Sequence, residues 1–100
     1  MIKEYSKILK LREIESKYNA LILDIWGVLW DGIEPYINAK TTLEELKLIN
    51  KPIVLLSNAP RRASVVEKRL EDIGIKNNLY NKIISSGELC REHCLQNEEF

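Results

Sequence analysis

Asp24 closes the apolar run Ala20-Leu21-Ile22-Leu23 and stands three residues before Gly27, so a carboxyl group would emerge there from a buried strand into a turn. Ser57 and Asn58 close a second apolar run, Ile53-Val54-Leu55-Leu56, in the same way. In parallel α/β sheets, ligands bind outside the carboxyl ends of the strands. If the two strands are neighbours, the Asp24 carboxylate and the Ser57 hydroxyl share one crevice. Arg61 and Arg62 follow at once, at the start of a predicted helix, where open backbone N–H groups and the positive end of the helix dipole favour an anion. A carboxylate able to attack phosphorus or hold a metal, facing a hydroxyl and a helix start that suit phosphate oxygens, is a site for phosphoryl transfer.

Trp26 stands two residues after Asp24, where a second carboxylate would assist such a reaction. Asp31 is the nearest substitute acid, but Asp31-Gly32 reads first as a turn pair in which the glycine supplies the positive φ. Trp26 and Trp30 are read as packing aromatics, with a pocket wall or a contact to a cap as the alternative. Cys90, His93 and Cys94 cluster on one predicted helix near the chain end. A structural zinc site takes a fourth ligand, usually from a separate segment, so the cysteines are read as partly buried free thiols in a reducing compartment.

These residues need elements to position them. Tyr5, Ile8, Leu9, Leu11 and Ile14 recur at helical spacing among lysines and glutamates, which predicts an amphipathic lead-in helix within residues 1–19. The stretch from Ala20 to Ile25 then predicts a strand buried on both faces. Gly27, Asp31-Gly32 and Pro35 punctuate a loop or tight hairpin. Thr41 and Thr42 are candidate caps for a helix with Leu43, Leu46 and Ile49 on its apolar side, ending at Asn50 ahead of Pro52. After the strand Ile53–Leu56, Pro60 is expected at a first helical position, and Ala63, Val66, Leu70 and Ile73 mark a helix that Gly74 stops. Lys82-Ile83-Ile84 is a short third strand, and Ser85 with Glu88 fits a capping box for a last helix through about Leu95. Apolar strands alternating with helices predict parallel pairing through helical crossovers, a three-layer α/β arrangement.

A chain of 100 residues holds one small domain. Fifteen basic residues balance fifteen acidic ones, so no overall field draws nucleic acid or an anionic membrane. The apolar runs are strand-sized and the N-terminus is mixed and charged, which predicts a cytoplasmic protein with neither membrane span nor secretion signal.

Two stretches carry a more specific likeness. Asp24-Ile25-Trp26-Gly27-Val28-Leu29 resembles the first motif of the haloacid dehalogenase (HAD) superfamily, Asp-x-Asp-Gly-[Thr/Val]-Leu after a buried strand. Leu55-Leu56-Ser57-Asn58-Ala59-Pro60-Arg61-Arg62 resembles its second, a strand ending in Ser or Thr followed by Asn. With the Trp30-Asp31-Gly32 turn and the later Ile83-Ile84-Ser85-Ser86-Gly87-Glu88-Leu89, the pattern looks like the class IIA branch of phosphatases. The likeness runs from about Ala20 to about Leu95. It implies a Rossmann-like HAD core over residues 20–100, partial, with about three parallel strands and no cap domain.

The resemblance implies that Asp24 is the nucleophile that forms an aspartyl-phosphate and is also a magnesium ligand. Ser57 would hydrogen-bond the transferring phosphoryl group and Asn58 would shape that loop. The family's second acid, which protonates the leaving oxygen, falls on Trp26, whose indole has no acid–base function near neutral pH. Magnesium in the family takes a backbone carbonyl from that position, which Trp26 keeps. The family's third-motif lysine and fourth-motif acids lie beyond the cap and have no counterpart before Phe100. Lys82 comes too early to serve as the lysine. The chain is therefore expected to be the N-terminal portion of a magnesium-dependent phosphatase of phosphorylated small molecules, inactive alone. The alternatives are a phosphate-binding or protein-interaction module, or one half of an enzyme completed by a complementary chain.

Overall fold

The computed structural model describes Leu11 and residues 15–96. Most of the expected lead-in helix therefore lies outside the described residues; within them, Glu15–Lys17 forms a single 3₁₀ turn. Lys51 ties that turn to the rest of the fold, through the Glu15 carboxylate at 3.0 Å and the Glu15 carbonyl at 2.9 Å.

Three strands, β1 (Leu21–Asp24), β2 (Ile53–Ser57) and β3 (Lys82–Ser85), form one parallel sheet in sequential order with β2 in the centre. Two crossover helices, α1 (Ala39–Leu48) and α2 (Ala63–Asp72), connect them, and α3 (Ser86–Gln96) leaves the end of β3. Sequential order with right-handed crossovers puts both connecting helices on one side of the sheet. The core lies there: Leu43 and Leu46 of α1 and Val66 and Leu70 of α2 join Ile53, Leu55 and Ile83 in one buried cluster. This is the partial α/β core expected.

The opposite sheet face departs from expectation. The register aligns Ile22 with Val54, and Asp24 with Leu56 and Ile84, on that face. Ile22 is 71% exposed and Leu56 47%. Thus β1, expected to be buried on both faces, is half-buried at Leu21 and Leu23 on one face and exposed at Ile22 and Asp24 on the other. Its apolar sequence shows what the strand is built to be packed against, and its exposure shows how much of that packing the described residues supply.

Helix ends show where side-chain reasoning was right and where it was not. α1 begins at Ala39 with Asn38 as N-cap, earlier than Thr41 or Thr42, and Asn38 makes no side-chain cap bond. The preceding turn already directs the chain into the helix, with the Ala39 N–H donating to the Tyr36 carbonyl at 3.0 Å. α2 begins at Ala63, so Pro60 belongs to the loop before it. At their C-termini both helices close alike. Asn50 (φ +56°) and Gly74 (φ +94°) take the left-handed conformation. The next residues, Lys51 and Ile75, donate back to Leu46 and Leu70 at 3.0 and 2.8 Å. These are Schellman closures that satisfy carbonyls the helix leaves open.

Candidate active site

Asp24 and Ser57 end adjacent parallel strands. Asp24 is aligned with Leu56, and Ser57 is one residue further along. The neighbour relation on which a shared crevice depended is therefore present. One Asp24 carboxylate oxygen accepts the backbone N–H of Ile25 at 2.8 Å. The Ser57 hydroxyl accepts the N–H of Ala59 at 3.1 Å, which sets the start of the loop while the hydroxyl keeps a proton to donate.

Between β1 and α1 the chain forms a tight single turn. The Ile25 carbonyl accepts N–H groups from Val28, Leu29 and Trp30 at 2.8–3.3 Å. Gly27, at φ +83°, reverses direction and donates to the Trp30 carbonyl at 2.8 Å. Ile25 and Leu29 are buried and anchor this turn to the core. Asp31 is a turn residue, as read: its carboxylate accepts the N–H groups of Ile33 and Glu34 at 2.8 and 2.9 Å. Those bonds, Glu34 first, hold its carboxyl below the usual range. A carboxylate kept ionised by its own turn is a poor proton donor, so Asp31 does not replace the acid lacking at Trp26.

Trp26 is 65% exposed, yet its indole is placed. It lies over Gly32, where an added Cβ would come within 3.0 Å of Cη2, and it meets Trp30 edge to face at 6.2 Å and 70°. The two tryptophans, Ser57 and Asn58 border a cavity of about 410 Å³ whose far side is α2. Asp24 does not line it. The structure thus brings Trp26, Ser57 and Asn58 to one cavity and leaves the Asp24 carboxylate at its own strand end beside them.

The loop carrying Ser57 is held by residues that sequence reasoning assigned only to a helix start. Ser85, fully buried, donates to the Arg61 carbonyl at 2.7 Å. Ser86 donates to the Asn58 and Ala59 carbonyls at 3.0 Å each, and the Gly87 N–H donates to Ala59 at 3.1 Å. Gly87 must lack a side chain, since a Cβ there would lie 2.3 Å from the Arg61 nitrogen. Half of the expected capping box forms, with the Ser85 oxygen accepting the Glu88 N–H at 3.2 Å. The Glu88 carboxylate turns instead to the N–H of Ala63 at 3.0 Å and to Arg62 at 3.4 Å.

The cysteines differ from expectation. Cys90 and Cys94 share a side of α3 as their spacing requires, but both are exposed, because no residue of α3 is buried. Local desolvation and then the adjacent Cys90 push the Cys94 thiol up. Among the described residues no three His, Cys, Asp or Glu side chains cluster as a metal site. For magnesium, the Asp24 carboxylate and the Trp26 carbonyl are hard oxygen donors of the right kind. They could supply two of the oxygens that such an ion takes. No helix of the described residues is long and apolar enough to cross a membrane.

Comparison with known proteins agrees with this architecture. Residues 21–99 match the haloacid dehalogenase-like hydrolases. The chain belongs to that family. A haloacid dehalogenase-like hydrolase from Brucella suis superposes with a TM-score of 0.80 at 24% identity, over 90% of this chain and 34% of the other. A hypothetical protein from Pyrococcus horikoshii does so with a TM-score of 0.65 at 26% identity, over 80% of this chain and 31% of its own. The chain therefore spans about a third of the length of these solved structures. No curated protein matches it.

Proposed function

We propose that this chain carries the nucleophile half of a magnesium-dependent phosphatase site that works through an aspartyl-phosphate. The observation that supports it is the juxtaposition of Asp24 and Ser57 at the carboxyl ends of neighbouring parallel strands within a chain of the HAD-like family. In this reading an Asp24 oxygen attacks the phosphorus of a phosphomonoester and the bond to the leaving oxygen breaks. The Ser57 hydroxyl donates to a phosphoryl oxygen, and Asn58 keeps the loop in shape. Water then cleaves the acyl phosphate and frees Asp24. Magnesium, held by Asp24 and the Trp26 carbonyl, would neutralise phosphoryl charge. The leaving oxygen needs a proton that Trp26 cannot supply, a deficit on the order of 10²- to 10⁴-fold. The chain alone is accordingly slow or inactive, acting in the cytoplasm, where its exposed thiols stay reduced.

Purified protein with magnesium and an aryl phosphate tests this. Turnover above background that disappears in Asp24→Asn supports the reading. Turnover that persists in Asp24→Asn rejects it. If the wild type is silent, a phosphate-dependent rise in melting temperature that Ser57→Ala removes supports the site as a phosphate binder, and no shift at millimolar phosphate counts against it.

A second reading, one half of an enzyme completed by a complementary chain, is favoured by the open face around Ile22 and Leu56, since parallel sheets are ordinarily covered on both sides. Co-expression with a chain carrying the rest of a HAD-like core should give a stable complex. Separate elution of the two chains rejects it.

A further inference from the structure

We propose that the cavity walled by Trp26 and Trp30 binds the planar aromatic group of an anionic small molecule, with its charged end toward Ser57 and Asn58. At about 410 Å³ the space falls within the range of about 300–1,000 Å³ usual for small-ligand sites. One substituted aromatic ring with its anionic group fits it, and a large ligand does not.

Each wall has its own chemistry. Ile25, Val66 and Leu70 give a buried apolar floor. The two indoles stand above it, set edge to face, so that ring faces and ring edges are both presented to an incoming aromatic group. Trp26 is the telling residue. An indole that is mostly exposed is commonly mobile, but this one is seated on the Gly32 backbone and against Trp30. Such a fixed, exposed aromatic surface loses little freedom when a ligand covers it, which favours binding.

Charge selects the ligand's sign. Arg61 and Arg69 both line the cavity, and no carboxylate does. Among the described residues neither arginine forms an ion pair. Two cations beside an apolar floor, without acidic partners, favour an anion over a neutral or cationic ring. Placing the anionic end at Ser57 and Asn58 rests on the phosphoryl-transfer reading above, whereas aromatic recognition rests on the tryptophans alone.

The chain has two tryptophans and both line this cavity, so its own fluorescence reports occupancy. The full chain is titrated with phenylphosphonate, whose C–P bond resists hydrolysis, and in parallel with cyclohexylphosphonate and inorganic phosphate. Calorimetry checks each affinity. Phenylphosphonate is expected to change the emission saturably and to bind about tenfold or more tightly than either control, as about 1.4 kcal/mol of aromatic contact would give. Arg69→Gln, an exposed position on α2 that leaves the core untouched, should weaken phenylphosphonate about tenfold. Equal affinity for the phenyl and cyclohexyl compounds overturns aromatic recognition while leaving the phosphoryl reading intact. Phosphate binding as tightly as phenylphosphonate does the same. No binding of phenylphosphonate, or unchanged binding in Arg69→Gln, also overturns the proposal, and Asp24-dependent turnover then decides the phosphoryl reading separately.

Discussion

The Glu88 carboxylate accepts the backbone N–H of Ala63 at 3.0 Å, so the first turn of α3 caps the N-terminus of α2. Arg62, the N-cap residue by position, makes no side-chain cap bond. Orphan N–H groups at a helix start need a partner, and here it comes from a residue 25 positions later in the chain. The bond joins the ends of β2 and β3 and fixes the loop between Ser57 and Ala63 from its far side.

Glu88 should therefore report on the integrity of that loop through pH. Its carboxyl is held below the ordinary range chiefly by the Ala63 N–H, with Arg62 contributing less and partial desolvation opposing both. A depressed folded-state pKa means that the stabilisation is complete above the unfolded value of about 4.5 and is lost as pH falls through the folded value. Glu88→Gln should melt below the wild type at pH 7, Glu88→Ala lower still, and the gap between wild type and Glu88→Gln should narrow and then close as the pH falls below 4.5. A gap of the same size across that range would show that the charge plays no part.

Gly87→Ala tests the same brace by steric means. A Cβ would stand 2.3 Å from the Arg61 nitrogen and 2.5 Å from its carbonyl oxygen. These are backbone atoms that cannot swing aside, so the two segments must separate. Overpacking of this kind costs about 1–3 kcal/mol, and separation also weakens the Ser85 and Ser86 bonds. Urea unfolding should show a midpoint lowered accordingly. An unchanged midpoint would mean that the loop yields freely and that the brace is not rigid.

How much of this was legible in the sequence varied with the range of the interaction. The three strands, their parallel pairing and the position of Asp24 and Ser57 at strand ends came from apolar runs, which are local, whereas their order in the sheet came only from the fold. The Gly74 stop was local too, because a left-handed closing residue favours glycine. Asn50 closes α1 by the same geometry. The start of α2 was misplaced because Pro60 is a good first helical residue in isolation. What sets the true start is Glu88, which no local rule connects to Ala63. Ser85 and Glu88 were read as reciprocal caps, and only the Ser85 half is formed. The exposure of Ile22 and of the cysteines was equally out of reach, since apolar character records what a residue favours and not whether a neighbour is present to cover it.

Tyr80 offers a test of a group that gains nothing from its polarity. Its hydroxyl is buried without a hydrogen-bond partner among the described residues. Its pKa is raised to about 12, by burial first and then by Glu67 and Glu71. An unpaired buried hydroxyl is costly, so Tyr80→Phe should match or exceed the wild type in stability at pH 7, by up to about 1 kcal/mol. Below the ordinary value of 10 both states keep the phenol neutral. Between there and about 12 only the unfolded chain ionises, so the wild type should lose stability across that window at this position while Tyr80→Phe does not. Denaturant unfolding at pH 7 and pH 11 measures both effects. A clearly less stable phenylalanine variant at pH 7 would reveal a hydrogen bond of the hydroxyl.

Trp26→Asp asks whether the indole is what limits chemistry at Asp24. The substitution places a carboxyl two residues beyond the proposed nucleophile, in a turn whose backbone is fixed by the Ile25 carbonyl and by Gly27 rather than by the indole. It also removes the packing on Gly32 and Trp30, so some stability is lost and melting must be checked first. If proton delivery to the leaving oxygen is the main deficit, turnover of an aryl phosphate with magnesium should rise by about 10²- to 10⁴-fold over the wild type. Adding Asp24→Asn should abolish the gain. Phosphate esters with poor leaving groups should benefit more than aryl esters, since they depend more on protonation as the bond breaks. A folded Trp26→Asp protein with no increase would place the limit elsewhere than in proton delivery. The same variant loses one wall of the aromatic cavity, so phenylphosphonate binding should weaken even as turnover rises, which separates the two roles of position 26.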